Sequence, residues 1–289
     1  MKKLIPAIVI LILIIAILLT GCDVIFTSSE DGEQGSGNLD TRQYDFTDFT
    51  GVDIGSAFRY EIEQSDTYGI SITADDNIFK NIEVEKNGET LRIGLKPFIS
   101  LFGSVTLEAN ITMPRLTGLD SSGATRGTVT GFTTGDNLDL EISGASKVNL
   151  VNITTGDIEG NISGASTLEG KITTDNIDME ISGASNVDCE LIARDVELEV
   201  SGASKVNLDG SGNDILVDAS GASRISLGDY PVFNADIIMS GASNCNIDVS
   251  GRLDIELSGA SRLEYTGRPV LGSINLNGGS QVNNESDIQ

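Results

Sequence analysis

The chain has 289 residues, 43 acidic and 18 basic, and its formal net charge is −25 at neutral pH. An acidic excess of this size repels the phosphates of nucleic acids and of anionic lipids, which argues against both as partners. The chain contains no histidine and no tryptophan. Without histidine the commonest general base is missing, so catalysis would have to rest on carboxylates, Lys, Arg, Tyr or Cys. We therefore expect a protein that is not an enzyme.

The first residues have the pattern of an export signal. Two lysines precede an apolar run that ends in Leu19-Thr20-Gly21-Cys22. A basic start, an apolar stretch and a small-residue exit are typical of a secretory signal peptide, and the final four residues resemble the bacterial lipobox, whose cysteine is acylated. An uncleaved membrane-spanning helix is the alternative, because the apolar run is only slightly shorter than the roughly 20 residues that a span needs. We predict a signal peptide over residues 1–21 and an exported protein of the cell envelope, anchored in the membrane by lipid at Cys22.

Residues 22–43 follow this signal and are rich in Ser, Gly, Glu and Asp, with few apolar side chains. Such a composition cannot bury enough apolar surface to fold and is typical of a flexible linker. We predict that this segment is a flexible tether between the lipid and the folded part.

A tetrapeptide, Ser-Gly-Ala-Ser, recurs along most of the remaining chain. It begins at Ser143, Ser163, Ser182, Ser201, Ser220, Ser240 and Ser258. A variant with a final threonine begins at Ser122, and a degenerate Asn-Gly-Gly-Ser begins at Asn277. The steps between these positions are all near 20 residues, and a fixed period of this length is the sequence signature of a solenoid. The near-constant step indicates one coil per repeat.

The residues between the tetrapeptides show the type of coil. Leu138, Leu140 and Ile142 alternate with Asp139 and Glu141 before the first full tetrapeptide, and every repeat has a similar pattern. Alternation with period two is typical of a strand with one buried face. The sequence predicts an all-β fold: a single-stranded parallel β-helix of about nine coils over residues 117–280, expected to be right-handed. Glycine fits a tight corner, but the alternation leaves open whether the alanine or the final serine points inward.

Residues 44–116 have the strand pattern without the tetrapeptide, and Asn87-Gly88 is a hairpin signal. We predict a β-rich section that caps the first coil, because an open solenoid end offers unpaired strand edges. The apolar segment from Pro97 to Phe102 is either a binding tip or, as the favoured interpretation, a plug over the core. We expect residues 281–289 to be a polar tail that blunts the far end.

Several short motifs resemble a known family in their order. They are Phe49-Thr50-Gly51-Val52, Thr73-Ala74-Asp75-Asp76-Asn77, Gly88-Glu89-Thr90-Leu91-Arg92-Ile93, Met113-Pro114-Arg115-Leu116 and the iterated tetrapeptide. In this order they resemble the auto-transporter adhesin head GIN domain family, over about residues 44–280. The resemblance implies a bacterial envelope protein with a β-helical fold and a role in adhesion. It implies no catalytic residues.

Outward positions before the tetrapeptides form two columns of carboxylates. The candidate metal ligands among them are Asp139, Glu141, Asp178, Glu180, Glu197 and Glu199. Oxygen ligands suit calcium, and the alternative is a solvated face that keeps the protein soluble. The solvated face is the favoured interpretation, so we expect no cofactor, and calcium is the one ion that the columns could bind. Leu216 and Ile238 interrupt the columns and, with Phe98 and Phe102, are the candidate interaction residues.

Cys189 and Cys245 lie three coils apart, a separation of roughly 14 Å at the usual strand spacing. Disulfide Cα atoms lie within about 7 Å of each other, so we expect both cysteines to be buried free thiols.

Three functions fit the sequence. The first is an adhesin or surface interaction module that binds extracellular ligands. The second is a structural or signalling-associated protein that binds another envelope protein. The third is a polysaccharide-active β-helix enzyme, which the small variation in coil length disfavours because it leaves little room for loops that build a cleft.

Overall fold

The computed structural model describes residues 32–285, which form a parallel β-solenoid with an N-terminal cap. The predicted all-β class and parallel β-helix are confirmed by the strand pairing. A single turn of 3-10 helix, Phe79–Asn81, interrupts the strands of the cap. The predicted signal peptide and Cys22 lie outside the described residues.

Two long sheets form the walls of the solenoid, and each coil contributes one strand to each sheet. Sheet 1 holds the strands that precede the tetrapeptides, in the order β6 (Ile82–Asn87), β7 (Thr90–Leu95), β3 (Gly51–Ile54), β10 (Gly118–Ser121), β12 (Leu138–Ile142), β14 (Ile158–Ile162), β16 (Asn176–Ile181), β18 (Asp195–Val200), β20 (Asp214–Ala219), β22 (Asn234–Met239), β24 (Arg252–Leu257) and β26 (Val270–Leu276).

Sheet 2 holds the strands that follow the tetrapeptides. Its order is β2 (Leu39–Gln43), β5 (Gly69–Asp75), β9 (Leu107–Met113), β4 (Arg59–Gln64), β11 (Arg126–Thr130), β13 (Lys147–Thr154), β15 (Thr167–Thr173), β17 (Asn186–Ile192), β19 (Lys205–Ser211), β21 (Arg224–Val232), β23 (Asn244–Val249), β25 (Arg262–Thr266) and β27 (Gln281–Asn284). A separate pair joins β1 (Glu33–Gln34) to β8 (Leu101–Phe102) in parallel.

The core lies between the two sheets and is built from stacked apolar columns. In β12 the burial alternates residue by residue, so that Leu138, Leu140 and Ile142 point inward. Parallel pairing places each of these residues beside its equivalent in the next coil, as Leu140 lies beside Gly160. Gly160 leaves a gap in its column, and the Met179 side chain of the following coil lies against it. Each buried aliphatic side chain contributes roughly 1.5–3 kcal/mol, so the columns supply most of the stability.

The final residue of each tetrapeptide points into the solenoid, and the alanine before it faces solvent. The buried residues are Thr125, Ser146, Ser166, Ser185, Ser204, Ser223, Ser243 and Ser261. Several of these hydroxyls donate to the carbonyl oxygen three residues earlier; from Ser223 Oγ to Ser220 O the distance is 2.7 Å. A buried hydroxyl needs such a partner, and a small side chain fits at the corner. The sequence left open whether the alanine or the final serine points inward, and the structure shows that the serine does.

The glycines of the tetrapeptides stack directly on one another. Gly202 has a φ of +75°, a conformation that is cheap only for glycine. The Ala203 N–H donates to the Gly183 carbonyl oxygen of the preceding coil at 2.8 Å, and a Cβ on Gly202 would clash with that oxygen. Glycine is therefore required for both its dihedral angles and its close approach.

The cap begins with a coil of the solenoid itself. Strands β3 and β4 pair in parallel with β10 and β11, and Gly55-Ser56-Ala57-Phe58 forms their corner. Strands β7 and β9 form a further coil beyond this one. The antiparallel strands β6, β5 and β2 then end the two sheets. The predicted hairpin at Asn87-Gly88 is confirmed between β6 and β7.

The predicted flexible tether is wrong for residues 33–43, which include β1 and β2. Asp75 is buried, and its carboxylate accepts the Gly37 N–H at 2.7 Å and the Thr106 N–H at 2.8 Å. The Thr106 and Gly37 N–H groups lower the pKa of Asp75. The Arg42 guanidinium lies 4.0 Å from the centre of the Phe79 ring. Composition missed this segment because it is held by backbone pairing and by polar contacts with little apolar burial.

The far end also differs from the prediction of a polar tail over residues 281–289. Gln281–Asn284 forms the last strand and pairs with β25. Leu271, Ile274 and Leu276 occupy inward positions of the last coil and are 45–49% exposed. Within the described residues no strand lies beyond this coil. The inward positions are therefore open to solvent at this end.

Replacing Gly202 by Ala tests the corner. We expect Gly202→Ala to lower the free energy of unfolding by more than about 1–2 kcal/mol, because the left-handed conformation alone costs this much for a residue with a Cβ. Ala203→Ser, on the exposed neighbour, should change it by less than about 0.5 kcal/mol. Thermal unfolding followed by circular dichroism measures both, and equal melting temperatures for the two variants would contradict the requirement for glycine.

Candidate functional site

The outer surface of sheet 1, here called the acidic face, carries the predicted carboxylate columns in register. The first column contains Asp139, Glu159, Asp178, Glu197, Leu216, Asp236 and Asp254. The second contains Glu141, Asn161, Glu180, Glu199, Asp218, Ile238 and Glu256. One-coil pairing without a register slip across these strands is the reason that like residues stack.

A third polar column, which sequence reasoning missed, lies at the start of the strands of sheet 1. It contains Asn137, Asp157, Asn176, Asp195, Asp214, Asn234 and Arg252. Its members bond between coils: Asn176 Nδ2 donates to Asp157 Oδ1 at 2.7 Å, and Asn234 Nδ2 donates to Asp214 Oδ1 at 2.8 Å. The signal available in the sequence was the same period of about 20 residues, one position before the apolar columns.

A groove of about 620 Å³ runs between this third column and the first carboxylate column. It spans seven coils, from Asn137 to Asp254, or about 29 Å at the usual strand spacing. Leu216 lines the groove among its carboxylates. The groove is therefore long and open, with an acidic rim, and Leu216 is the half-buried apolar side chain within its first carboxylate column.

The six candidate metal ligands all lie on the acidic face. Five of them, with Glu199 at one end, line a second groove of about 580 Å³ that also involves Glu159. Among residues 32–285, no group of three or more acidic or cysteine side chains is arranged to hold a metal ion. Calcium binding therefore stays a prediction, and a calorimetric titration that shows neither heat nor a change in melting temperature would remove it.

The charges of the acidic face shift the pKa values of some members. Partial burial and the neighbouring Asp254 and Glu256 raise the pKa of Asp236. Burial and the neighbouring Asp53 and Glu141 raise the pKa of Asp120 at the other end of the face. A cation between neighbouring carboxylates relieves their mutual repulsion.

Arg252 provides such relief near the last coil. Its Nη2 donates to Asp254 Oδ1 at 2.8 Å, and the Ser273 N–H donates to the same oxygen at 2.7 Å. Arg252, with help from Ser273, holds the pKa of Asp254 well below its usual range. The carboxylate of Asp254 is therefore already occupied by internal partners.

The structure separates the candidate interaction residues into two places. Leu216 and Ile238 are half-buried on the acidic face, on neighbouring strands, where Leu216 pairs with Asp236 and Asp218 pairs with Ile238. Phe98 and Phe102 lie on the corner loop of the cap instead. Phe98 is fully exposed, so the favoured interpretation of this loop as a plug is wrong for its tip.

Two exposed apolar side chains on the solenoid were not anticipated from the sequence. Ile192 and Phe233 lie near the end of strands β17 and β21 and are 48% and 56% exposed. Each follows a buried residue in an alternating strand, so the period placed them outward, but nothing in the spacing distinguished them from other outward positions. Single exposed apolar residues are common on protein surfaces.

Cys189 and Cys245 are both free and buried, as predicted. Burial raises the pKa of each thiol to about 12. A thiol in this state is not a nucleophile at neutral pH. Both cysteines act as small apolar side chains of the core.

The chain matches a known protein family over most of its described residues. A family model described as "Putative auto-transporter adhesin, head GIN domain" matches residues 48–190 and 158–269. The chain belongs to this family. The match to the head GIN domain spans the cap and nearly all of the solenoid, and the resemblance seen in the short motifs is confirmed. No curated protein matches the chain.

Solved structures share the fold. A protein from Parabacteroides distasonis described as a putative adhesin has a TM-score of 0.66 and 17% identity, and the alignment covers 88% of this chain and 100% of that one. A putative adhesin from Parabacteroides merdae has a TM-score of 0.60 and 17% identity, covering 88% and 99%. A putative lipid binding protein from Parabacteroides distasonis has a TM-score of 0.60 and 17% identity, covering 87% and 98%. Identities this low establish the fold alone.

Among residues 32–285 there is no helix with the length and apolar character needed to cross a membrane.

The raised pKa of Asp236 makes a pH-dependent prediction. The folded state binds the proton more tightly than the unfolded state, so the ionised carboxylate opposes folding once the pH exceeds its folded pKa. Asp236→Asn should therefore raise the melting temperature at pH 7, with a gain below about 1 kcal/mol because the side chain is exposed. The gain should disappear below the unfolded pKa of about 3.9.

Thermal unfolding at pH 7 and pH 3 measures this difference. Asp66→Asn, an exposed carboxylate outside the acidic face, is the control and should show little change at either pH. A stabilisation by Asp236→Asn that persists unchanged at pH 3 would contradict the electrostatic cause.

Proposed function

We propose that this protein is a lipid-anchored, non-catalytic adhesin-like module, exported and displayed from the cell envelope. The observation that supports the proposal most directly is the family match over residues 48–269, on a solenoid with long, regular faces. Solenoids use extended faces for binding, because each coil repeats the same surface chemistry. The ligand would then meet a ladder of contacts along the solenoid axis.

The anchor in this proposal is a lipid on Cys22, on the basis of the lipobox-like sequence that ends there. Nine residues separate Cys22 from Gly32, where the described fold begins. Ten residue steps reach at most about 35 Å. Since residues 33–43 belong to the fold, the cap would lie close to the membrane and the last coil would point away from it.

The regular coils support the non-catalytic part of the proposal. Active sites on β-helices depend on side chains from different elements that converge, often with long loops around them. Here the carboxylates of the acidic face repeat at the same position in successive coils, and four-residue corners join the sheets. The long corner loop of the cap, residues 95–106, contains Lys96 and no carboxylate.

A second candidate function is binding of another envelope protein along the acidic groove. The observation that favours it is the combination of a groove about 29 Å long with the apolar side chain of Leu216 among carboxylates. A partner with basic residues would be attracted to this surface, and the attraction would weaken with added salt. Co-purification of one envelope protein with the chain would favour this candidate.

The test compares wild type with Cys22→Ala in the native host. We expect wild type to incorporate labelled fatty acid, to remain in the membrane fraction and to be cleaved by protease added to intact cells. Cys22→Ala should lose the label and leave the membrane. Cells that lack the gene should attach less to host or abiotic surfaces, and wild type but not Cys22→Ala should restore attachment.

Two results would overturn this proposal. A solenoid protected from protease in intact cells cannot contact another surface, so it would exclude the adhesin. Turnover of a polysaccharide by the purified protein would contradict the non-catalytic assignment.

A further inference from the structure

The corner loop of the cap is much longer than the corners of the solenoid coils. In the solenoid coils, four residues join sheet 1 to sheet 2, but between β7 and β9 the corner occupies residues 96–106. Its apolar part is Pro97-Phe98-Ile99-Ser100-Leu101-Phe102, here called the apolar loop. A cavity of about 590 Å³ lies beneath it, lined by Ala57, Leu95 and other mainly apolar residues. The loop therefore stands off the cap instead of sealing it.

The tip of the apolar loop is exposed to solvent, and its backbone adopts an unfavourable conformation. Phe98 has a relative exposure of 103%, so its ring makes essentially no contact with the rest of the chain. Its φ of +66° is unusual for a bulky side chain. Phe102 is a further half-exposed ring on the same loop. An exposed apolar group held in a strained conformation indicates a contact surface, because nothing within the fold benefits from it.

The chain that leads to the anchor runs directly along this loop. Glu33–Gln34 pairs in parallel with Leu101–Phe102, and the Glu33 N–H donates to Ser100 O at 2.9 Å. The backbone at Gly32 lies against the Phe102 ring, where an added Cβ would be 2.8 Å from Cδ1. With a lipid on Cys22, the apolar loop is thus the part of the fold tied most closely to the membrane.

The local charge suits a membrane surface better than the rest of the protein does. Residues 95–106 contain one charged side chain, Lys96, although the whole chain carries a net charge of −25. Lys96 Nζ donates to Lys80 O at 2.7 Å, and Lys80 forms an ion pair with Glu33 at 3.1 Å. No carboxylate in this loop would therefore repel phosphate head groups.

We infer that the apolar loop is a second membrane contact, in which Phe98 and its neighbours enter the interface of the bilayer that holds the lipid on Cys22. Aromatic and aliphatic side chains favour this interface, and a lipid chain combined with a second contact holds a protein more firmly than a single chain. The contact fixes the cap on the membrane and directs the solenoid outward. This inference rests on the proposed lipid anchor.

The absence of tryptophan in the chain allows a direct test. Phe98→Trp introduces a single tryptophan at the tip, where full exposure leaves no packing to disturb. The matched control is Phe233→Trp, an exposed ring on the solenoid wall that is 56% exposed. Both full-length, lipidated variants are reconstituted in phosphatidylcholine vesicles with and without brominated acyl chains, after their melting temperatures are compared with that of wild type.

We expect brominated lipid to quench the emission of Phe98→Trp severalfold more than that of Phe233→Trp, with a blue shift for Phe98→Trp alone. Equal quenching of the two variants in vesicle-bound protein would overturn the inference and leave the lipid anchor intact. Failure of either variant to float with the vesicles would instead show that the proposed anchor is wrong, and the inference would fall with it. Adding Phe98→Ser to the flotation assay under high shear should show a faster loss from the vesicles than wild type.

Discussion

Stacking of one coil on the next with a constant register at the corners, despite local bulges in β13, β21 and β26, is the constraint on which the rest of this structure depends. At the corners from Gly144 to Gly259 a glycine carbonyl oxygen accepts a backbone N–H from the next coil, and a Cβ on the next coil's glycine would clash with that oxygen. This contact fixes the distance between successive coils at these corners. It also fixes where the strands on either side of the corner begin and end. Since the side-chain period of a strand is two, a slip of a single residue would turn the apolar columns outward.

The same register produces the surfaces. Once inward positions are stacked, outward positions must stack as well, and a similar residue in each repeat becomes a column. The acidic face follows directly: partial burial and the neighbouring carboxylates raise the pKa of Asp236, and Arg252 pairs with the carboxylate of Asp254. Features that do not repeat, such as the apolar loop with Phe98, therefore carry more information about contacts than the columns do.

The repeating part of the fold could be predicted from the sequence because its signals repeat. The period of the tetrapeptide predicted one coil per repeat, and the alternation predicted strands with one buried face. The spacing of Cys189 and Cys245 predicted two free thiols. The columns on the acidic face followed from the same count. Each of these predictions needed only positions relative to the tetrapeptide.

Most of the parts that were missed lack a repeating signal. Residues 39–43 form an edge strand whose side chains are all exposed, so hydrophobic periodicity could not detect it. Gly55-Ser56-Ala57-Phe58 acts as a corner without matching the tetrapeptide, and its place was visible only from the pairing of β3 with β10. Phe98 is apolar yet exposed, and a sequence alone cannot distinguish a tip from a plug. The Asn and Asp column beside the groove does repeat, and it was overlooked because Asn and Asp at the start of a strand are the residue types expected of a turn.

The most direct test of the central claim is removal of one complete coil. Deletion of residues 182–200 joins Ile181 to Ser201 and removes one repeat of 19 residues. If complete coils stack independently of their number, this variant should fold with a cooperative melting transition. Its long axis in small-angle scattering should be shorter by about 4.8 Å. Deletion of residues 182–190 removes only part of the same coil, so the strands that follow lose their register with the coil below, and this deletion should prevent folding. Two deletions that both fold, or that both unfold, would contradict the claim that register between coils determines this structure.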